Sequence, residues 1–326
     1  RDRALEAATA SLDAARARLR ADALGATAGV LRDAMRSLRA ARAAARGSST
    51  RALLDEKIVL AAEALLAAEG ISVDALVDRP TVVDGHGATV AAQLYNRSGE
   101  PLDARVELLA SRSWQTGESR EMTVPAGELG EVEMAVTLES GAPSSRPYFL
   151  DEGTAPGEPA MYEWPLASRE SWAAPFGPPE LRVRYEVKLG GLAEAVAIER
   201  EAIYREGDRA VGEVRKPVRA VPTLEVTVEP RQRLWSTRGG GTPTLEVGLS
   251  SWSEETLSGR VEVSGPAGWP AIPPSSFEVE RLGQRLVEME LTLPEDLSPG
   301  RYSFEIAAVV SDGNEERRYD LAFDVI

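Results

Sequence analysis

Val132-Glu133-Met134-Ala135-Val136-Thr137-Leu138 returns 155 residues later as Val287-Glu288-Met289-Glu290-Leu291-Thr292-Leu293. The same offset carries Gly85 onto Gly240, Leu94 onto Leu249, Ser98 onto Ser253, Glu100 onto Glu255 and Leu102 onto Leu257. It also carries Arg105-Val106-Glu107 onto Arg260-Val261-Glu262. An offset held constant over about 50 residues marks two copies of one folding module. Val287, Met289, Leu291 and Leu293 alternate with polar residues, the period of a half-buried strand.

Working outward, the second copy gives candidate strands at Leu224–Val228, Thr244–Ser250, Gly259–Ser264, Phe277–Glu280, Arg285–Leu293, Tyr302–Val310 and Arg317–Val325. About seven short strands in about 100 residues is the pattern of an immunoglobulin-like sandwich. Leu297-Ser298-Pro299-Gly300-Arg301-Tyr302 reads as the corner before strand F, where a tyrosine hydrogen-bonds back to the chain. Asp312-Gly313 suits the F–G hairpin. The chain has no cysteine, so apolar packing replaces the antibody-type disulfide.

The first copy offers strands at Thr89–Asn96, Ala104–Ala110 and Leu129–Leu138, then a hairpin from Leu181–Leu189 through Gly190-Gly191 into Leu192–Tyr204. Tyr185-Glu186-Val187 matches Phe304-Glu305-Ile306 at an offset of 119. The drop from 155 to 119 leaves 36 extra residues in the first copy between strands E and F. They fall in the stretch from about 141 to 179, which holds Tyr148, Phe149, Tyr162, Trp164, Trp172 and Phe176, six of the chain's 18 aromatic residues. Neither the helical nor the strand period survives there. Disordered linkers are poor in aromatics, so the stretch reads as an ordered insertion at one end of a sandwich, where loops carry binding function. The six aromatics are the candidate ligand or partner-binding residues. Three readings stand: packing against the protein itself, a stacking platform for sugar rings, and a hot spot for a protein partner.

Residues 1–70 are alanine- and arginine-rich with no proline. Leu5, Leu12 and Leu19 recur every seven residues, and Leu24, Ala28, Leu31, Met35 and Leu38 continue the stripe. Gly47 stops it, and Ser48-Ser49-Thr50 offers N-caps. A last helix places Leu54, Ile58, Ala61, Leu65 and Ala68 on one face and ends at Gly70. Arg16, Arg20, Arg32, Arg36 and Arg39 are assigned to a solvated face. A stripe this narrow needs a partner surface. The expected organisation is a helical connector or bundle over 1–70, a first sandwich with the aromatic insertion over 71–222, and a second sandwich over 223–326. The fold class is therefore mostly β with an N-terminal α-helical segment.

A net charge of -15 over 326 residues argues against nucleic acid and anionic membranes as partners. No apolar run approaches the roughly 18 residues that span a bilayer. The absence of cysteine excludes zinc–thiolate sites and cysteine nucleophiles. His86 is the single histidine; Asp84-Gly85-His86-Gly87 reads as a surface turn rather than a catalytic base. Gly239-Gly240-Gly241 opens no helix, so it fails as a phosphate cradle. Glu158 and Glu163 offer two carboxylates for acid–base work on a sugar, but glycoside hydrolysis requires a fixed separation across a cleft. Asp312-Gly313-Asn314-Glu315 suits calcium or, equally, a hairpin turn. The expectation is no catalytic residue, no metal site and no cofactor in this chain. It begins at Arg1 with no methionine and reads as a piece of a longer protein.

One ordered set of motifs resembles a known family. It runs Leu54-Asp55-Glu56-Lys57-Ile58, Gly70-Ile71, Asn96-Arg97-Ser98, Pro147-Tyr148-Phe149-Leu150, Met161-Tyr162-Glu163-Trp164-Pro165 and Pro175-Phe176-Gly177-Pro178-Pro179, then Tyr204-Arg205 and Gly212-Glu213-Val214-Arg215-Lys216-Pro217-Val218. It is similar to the C-terminal accessory half of long bacterial PIG-L (LmbE-like) deacetylases. Gly265-Pro266-Ala267-Gly268-Trp269 and Pro299-Gly300-Arg301-Tyr302 resemble the immunoglobulin-like domain associated with some alpha-galactosidases. The resemblance implies a parent enzyme that uses zinc to remove acetyl groups from N-acetylated sugars outside the cytoplasm. That family's Ala-His-Pro-Asp-Asp-Glu motif is absent from the sequence, so no catalytic or zinc residue carries over. The implied partner is a catalytic domain upstream in the same polypeptide, with glycans as possible ligands. The alternatives are a carbohydrate-binding module and a structural spacer.

Overall fold

The computed structural model describes residues 2–20, 23–111, 113–145, 179–228, 232–234, 243–294, 298–312 and 315–325. It is mostly β, with an N-terminal helical segment and two immunoglobulin-like sandwiches. The described residues fall into two compact units, 2–140 with 179–219, and 141–145 with 220–325.

The first unit opens with α1 (Asp2–Arg18), α2 (Ala28–Ala44) and α3 (Ser48–Glu69). Ala28, Leu31, Met35 and Leu38 are buried along α2, and Leu54, Ala61, Leu65 and Ala68 along α3, as their spacing predicts. Gly70 closes α3 in the left-handed region at φ 76°, the conformation glycine adopts without strain. Two expectations fail. Gly47 itself is the N-cap, without a side-chain bond, and Ser48 is already helical. Leu12 and Leu24 are exposed, and Leu19 lies beyond the end of α1; among the described side chains of α1 the buried ones are Ala8 and Ala15. Small alanines suit close approach of two helices, so heptad leucine spacing misassigns the buried face.

The sandwich of this unit contains β1 (Ile71–Val77), β2 (Thr81–Val83), β3 (Gly87–Asn96), β4 (Leu102–Ala110), β5 (Trp114–Thr116), β6 (Arg120–Val124), β7 (Leu129–Leu138), β8 (Leu181–Val187), β9 (Val196–Glu201), β10 (Ile203–Asp208) and β11 (Gly212–Pro217). One sheet runs β11-β10-β1-β3-β7-β5 and the other β6-β4-β8-β9. The predicted strand Leu192–Tyr204 is two strands. At Ala202, whose N–H bonds Leu181 O, the chain passes from one sheet to the other. A short β12 (Arg219–Val221) follows.

The second unit contains β13 (Leu224–Val228), β14 (Gln232–Arg233), β15 (Thr244–Ser251), β16 (Leu257–Ser264), β17 (Ser275–Val279), β18 (Gln284–Glu290), β19 (Tyr302–Asp312) and β20 (Glu315–Val325). Its sheets are β13-β15-β18 and β14-β20-β19-β16-β17. With β13, β15 and β18 as strands A, B and E, and β17, β16, β19 and β20 as C′, C, F and G, this is immunoglobulin topology. All seven predicted strands are present; β14 escaped the sequence reading because two residues carry no period. Leu249, Val261, Met289, Phe304 and Ile306 are among the core residues. Tyr302 donates its hydroxyl to Ser298 O at 2.6 Å, the predicted tyrosine corner.

Ala307 and Val309 are buried on the face of β19 away from that core. Arg260 and Arg318 flank Val309 in register, and Glu262 and Asp320 flank Ala307. Arg260 pairs with Glu262 and Glu316, both at 2.7 Å; Arg318 pairs with Glu262 at 2.8 Å and Asp320 at 2.7 Å. Long side chains thus roof a stripe of small apolar residues, which explains the unbroken apolar run from Ile306 to Val310.

The duplication is kept to the hydrogen bond. Thr89 opposes Ala135 as Thr244 opposes Glu290, and Leu102 opposes Val124 as Leu257 opposes Val279. Asn96 N–H bonds Glu128 O, and its counterpart Ser251 N–H bonds Gly283 O. Strand F corrects the sequence alignment. Ala104 opposes Val187 and its counterpart Gly259 opposes Val310. The offset there is 123 rather than 119, and 155 minus 123 leaves 32 extra residues rather than 36. A slip of four residues preserves which side chains face inward, so alternation alone does not detect it.

Candidate functional site

Tyr148, Phe149, Tyr162, Trp164, Trp172 and Phe176 lie outside the described residues, as do Glu158 and Glu163. The structure describes the framework from which the insertion departs. In the first unit, Glu180 accepts from the Trp114 indole N–H at 3.1 Å and the Ser111 hydroxyl at 2.6 Å, both on one carboxylate oxygen. Ser111 N–H also bonds Glu180 O at 2.9 Å. Trp114 is buried there, so its indole N–H requires this acceptor. In the second unit, Ser145 N–H donates to Ala220 O at 2.8 Å, and Ala220 N–H returns to the Ser145 hydroxyl at 2.7 Å.

His86 is exposed in its turn, with Nδ1 3.1 Å from Asp84 O. That is the surface-turn reading. Among the described residues no three His, Cys, Asp or Glu side chains are grouped to hold a metal ion. Asp312 and Glu315 face each other as the last pair of the β19–β20 ladder, the hairpin alternative to a calcium loop. Among the described residues no helix is long and apolar enough to cross a membrane.

The most developed polar arrangement is the joint between the helices and the first sandwich. Arg36 donates to Gly191 O at 2.7 Å. Arg39 donates to Glu194 O at 3.1 Å and Ala195 O at 2.6 Å. All three carbonyls belong to the β8–β9 connection, whose turn leaves acceptors unpaired by the ladder. Glu63 of α3 takes a two-pronged bond from Arg200 of β9, one arm at 2.6 Å. Hydrogen bonding to Glu63 raises the Arg200 pKa, as expected of a paired guanidinium. Tyr185, fully buried beside this joint, sends its hydroxyl to Asp74 O at 2.6 Å, and burial pushes its pKa up. Arg32 and Arg39 are therefore half-buried rather than solvated, and Arg36 stays exposed while its tip bonds the sandwich. Arg32 pairs with Glu69, and the other two grip the sandwich. An arginine stripe looks the same in sequence whether it meets water or carbonyls.

The chemistry of this joint is mechanical: charge-assisted bonds fix a helical face on a sheet. Leu53 and Leu60, seven residues apart on α3, remain exposed at 55% each and share one side of the helix.

No protein-family profile matches the chain. No curated protein matches it either. Among solved structures, a red sea bream transglutaminase aligns at 13% identity and TM-score 0.32, covering 86% of this chain and 34% of its own. The C. elegans MSP family member WR4 aligns at 16% identity and TM-score 0.23, covering 31% of this chain and 95% of its own. The D0–D1 domain of intimin aligns at 11% identity and TM-score 0.23, covering 77% of this chain and 98% of its own. The chain thus spans about a third of the transglutaminase it matches. The immunoglobulin-like topology rests on the strand order above.

Proposed function

We propose that this chain is a non-catalytic accessory region that positions or stabilises a zinc-dependent N-acetyl-sugar deacetylase domain. The observation that carries the reading is the helix–sandwich joint. Arg36, Arg39 and the Glu63–Arg200 pair lock the helices to the first sandwich, while Leu53 and Leu60 stay exposed on one side of α3. Locked helices with an apolar side turned outward suit docking of another folded domain. The motif resemblance supplies the class of that domain, a PIG-L-type deacetylase working outside the cytoplasm.

Two measurements test it. The chain alone, supplied with zinc, is assayed on chitooligosaccharides; no turnover is expected, and clear turnover overturns the reading. The gene is sequenced upstream of Arg1; a His-Pro-Asp-Asp-type motif is expected, and its absence overturns the assignment of the partner domain.

A further inference from the structure

The two copies differ along the outer edge of strand E. In the first, the edge begins with Gly127 at φ 82° and carries the exposed Leu129, Glu131 and Glu133 outward; its far end is covered by β5, Trp114 opposing Leu138. Charged outward residues and a covering strand are the ordinary ways of blunting an edge. In the second, Leu282 takes the place of Gly127 and Leu286 that of Glu131. Leu282 holds φ 50°, the left-handed region that disfavours leucine, and is 57% exposed; Leu286 is 54% exposed. Pro270 stands where Gln115 pairs with Thr137 in the first copy, and without an N–H it cannot build the covering strand. Among the described residues no strand pairs with the free edge of β18.

The direction of the free backbone groups follows from two bonds. Ser251 N–H bonds Gly283 O, and Leu291 N–H bonds Pro243 O, both toward β15. Odd-numbered residues of β18 therefore face β15, and the N–H and C=O of Gln284, Leu286, Glu288 and Glu290 point out of the sheet edge.

We propose that this edge pairs with the same edge of a second copy of the chain, antiparallel and two-fold about Leu286. In that register Leu286 meets Leu286, and Gln284 meets Glu288, so an amide faces each carboxylate and no two carboxylates stand directly opposite. The same side chains recur on both partners, as an isologous interface demands. The proposal does not depend on the accessory reading above. It is tested by sedimentation velocity over a dilution series of the full chain, wild type against Leu286→Glu, which restores the first copy's residue. A concentration-dependent dimer is expected, its Kd raised by at least about tenfold in the variant. Added salt is expected to strengthen the dimer by screening a net charge of -15 per chain. Hydrogen exchange at high concentration should slow at the amides of Leu286 and Glu288. Leu286 is exposed, so the variant leaves the core intact; Leu282→Gly, which relieves the left-handed strain, provides a second variant that should also weaken the dimer. A monomer at every concentration overturns the proposal, as does a dimer indifferent to both substitutions.

Discussion

The hydroxyl of Tyr185 on β8 donates to the carbonyl oxygen of Asp74 on β1 at 2.6 Å, tying one sheet of the first sandwich to the other. Tyr185 is fully buried, and the helix-bearing strand β9 pairs beside it, Tyr185 opposite Ile198. Its phenyl ring fills the core while the hydroxyl reaches a backbone carbonyl of the opposite sheet. Tyr185→Phe keeps the ring and removes this bond, leaving Asp74 O with the Gln93 N–H opposite it in the β1–β3 ladder. A loss of about 0.5–1.5 kcal/mol is expected, read as faster hydrogen exchange across β1 and β8.

The same residue sets an alkaline limit. Burial raises the Tyr185 pKa in the folded chain above its unfolded value of about 10. The folded state thus favours the neutral phenol. This contribution is fully present below about pH 10 and is lost as pH rises toward the folded value. Unfolding curves across this range should show wild type losing stability with pH more steeply than Tyr185→Phe; equal slopes would contradict the assignment.

Arg36→Ala with Arg39→Ala should loosen the helices from the sandwich while leaving each folded. The pair supplies three bonds to the carbonyls of Gly191, Glu194 and Ala195. Charged donors give about 1.5–3 kcal/mol per bond. Partial exposure of both arginines lowers the expected total to about 2 kcal/mol. Limited proteolysis within 1–70 should accelerate, whereas Arg16→Ala, on an exposed arginine, should change nothing measurable.

The sandwiches were legible because duplication supplied a second reading of each strand. Where one copy is ambiguous the other alternates cleanly, as in Tyr319, Leu321, Phe323 and Val325. The alignment slipped at strand F because Leu181, Val183, Tyr185 and Val187 offer the same alternation at every even shift; only pairing with Ala104 and Gly259 fixes the register. The helix–sandwich joint was not legible. Arg36 and Arg39 bind backbone carbonyls more than 150 residues away, and carbonyls leave no trace in a side-chain pattern. The character of the β18 edge lies in the difference between the copies, Leu282 for Gly127 and Leu286 for Glu131, and neither leucine stands out from its own neighbours. The six aromatics of the insertion have no second copy to calibrate them.

Asn96→Asp should be among the most damaging single-atom changes in the first sandwich. The Asn96 side chain is buried, and its Nδ2 donates to Glu100 O at 2.9 Å, Val124 O at 3.0 Å and Pro125 O at 3.1 Å. Its Oδ1 accepts from Ser98 N–H and the Ser98 hydroxyl. A carboxylate would point an oxygen at three carbonyls, at an expected cost of at least about 3 kcal/mol. The new acid would have a raised pKa in the folded state, so the deficit should shrink as pH falls through that raised value and level off below about 4. Denaturant titrations at neutral and acid pH measure both; a deficit independent of pH would show that the site relaxes around the charge.

Gly259 tests how tightly the second copy is packed against its own strand F. A Cβ there would lie 2.1 Å from Val309 O and 2.9 Å from the Phe277 ring. The first copy has Ala104 at this position, opposite Met122, where the second pairs Gly259 with Phe277. A larger residue on β17 thus accompanies a smaller one on β16. Gly259→Ala should destabilise the second sandwich by about 1–3 kcal/mol, because close-packed cores resist an added methyl. Phe277→Met in the same chain should recover part of the loss, by removing the ring contact with a flexible side chain. Full recovery is not expected, because the Val309 carbonyl belongs to the backbone and moves only with β19. Unfolding of the two single variants and the double variant gives the coupling directly. Strictly additive effects would show that the glycine answers to the backbone of β19 alone.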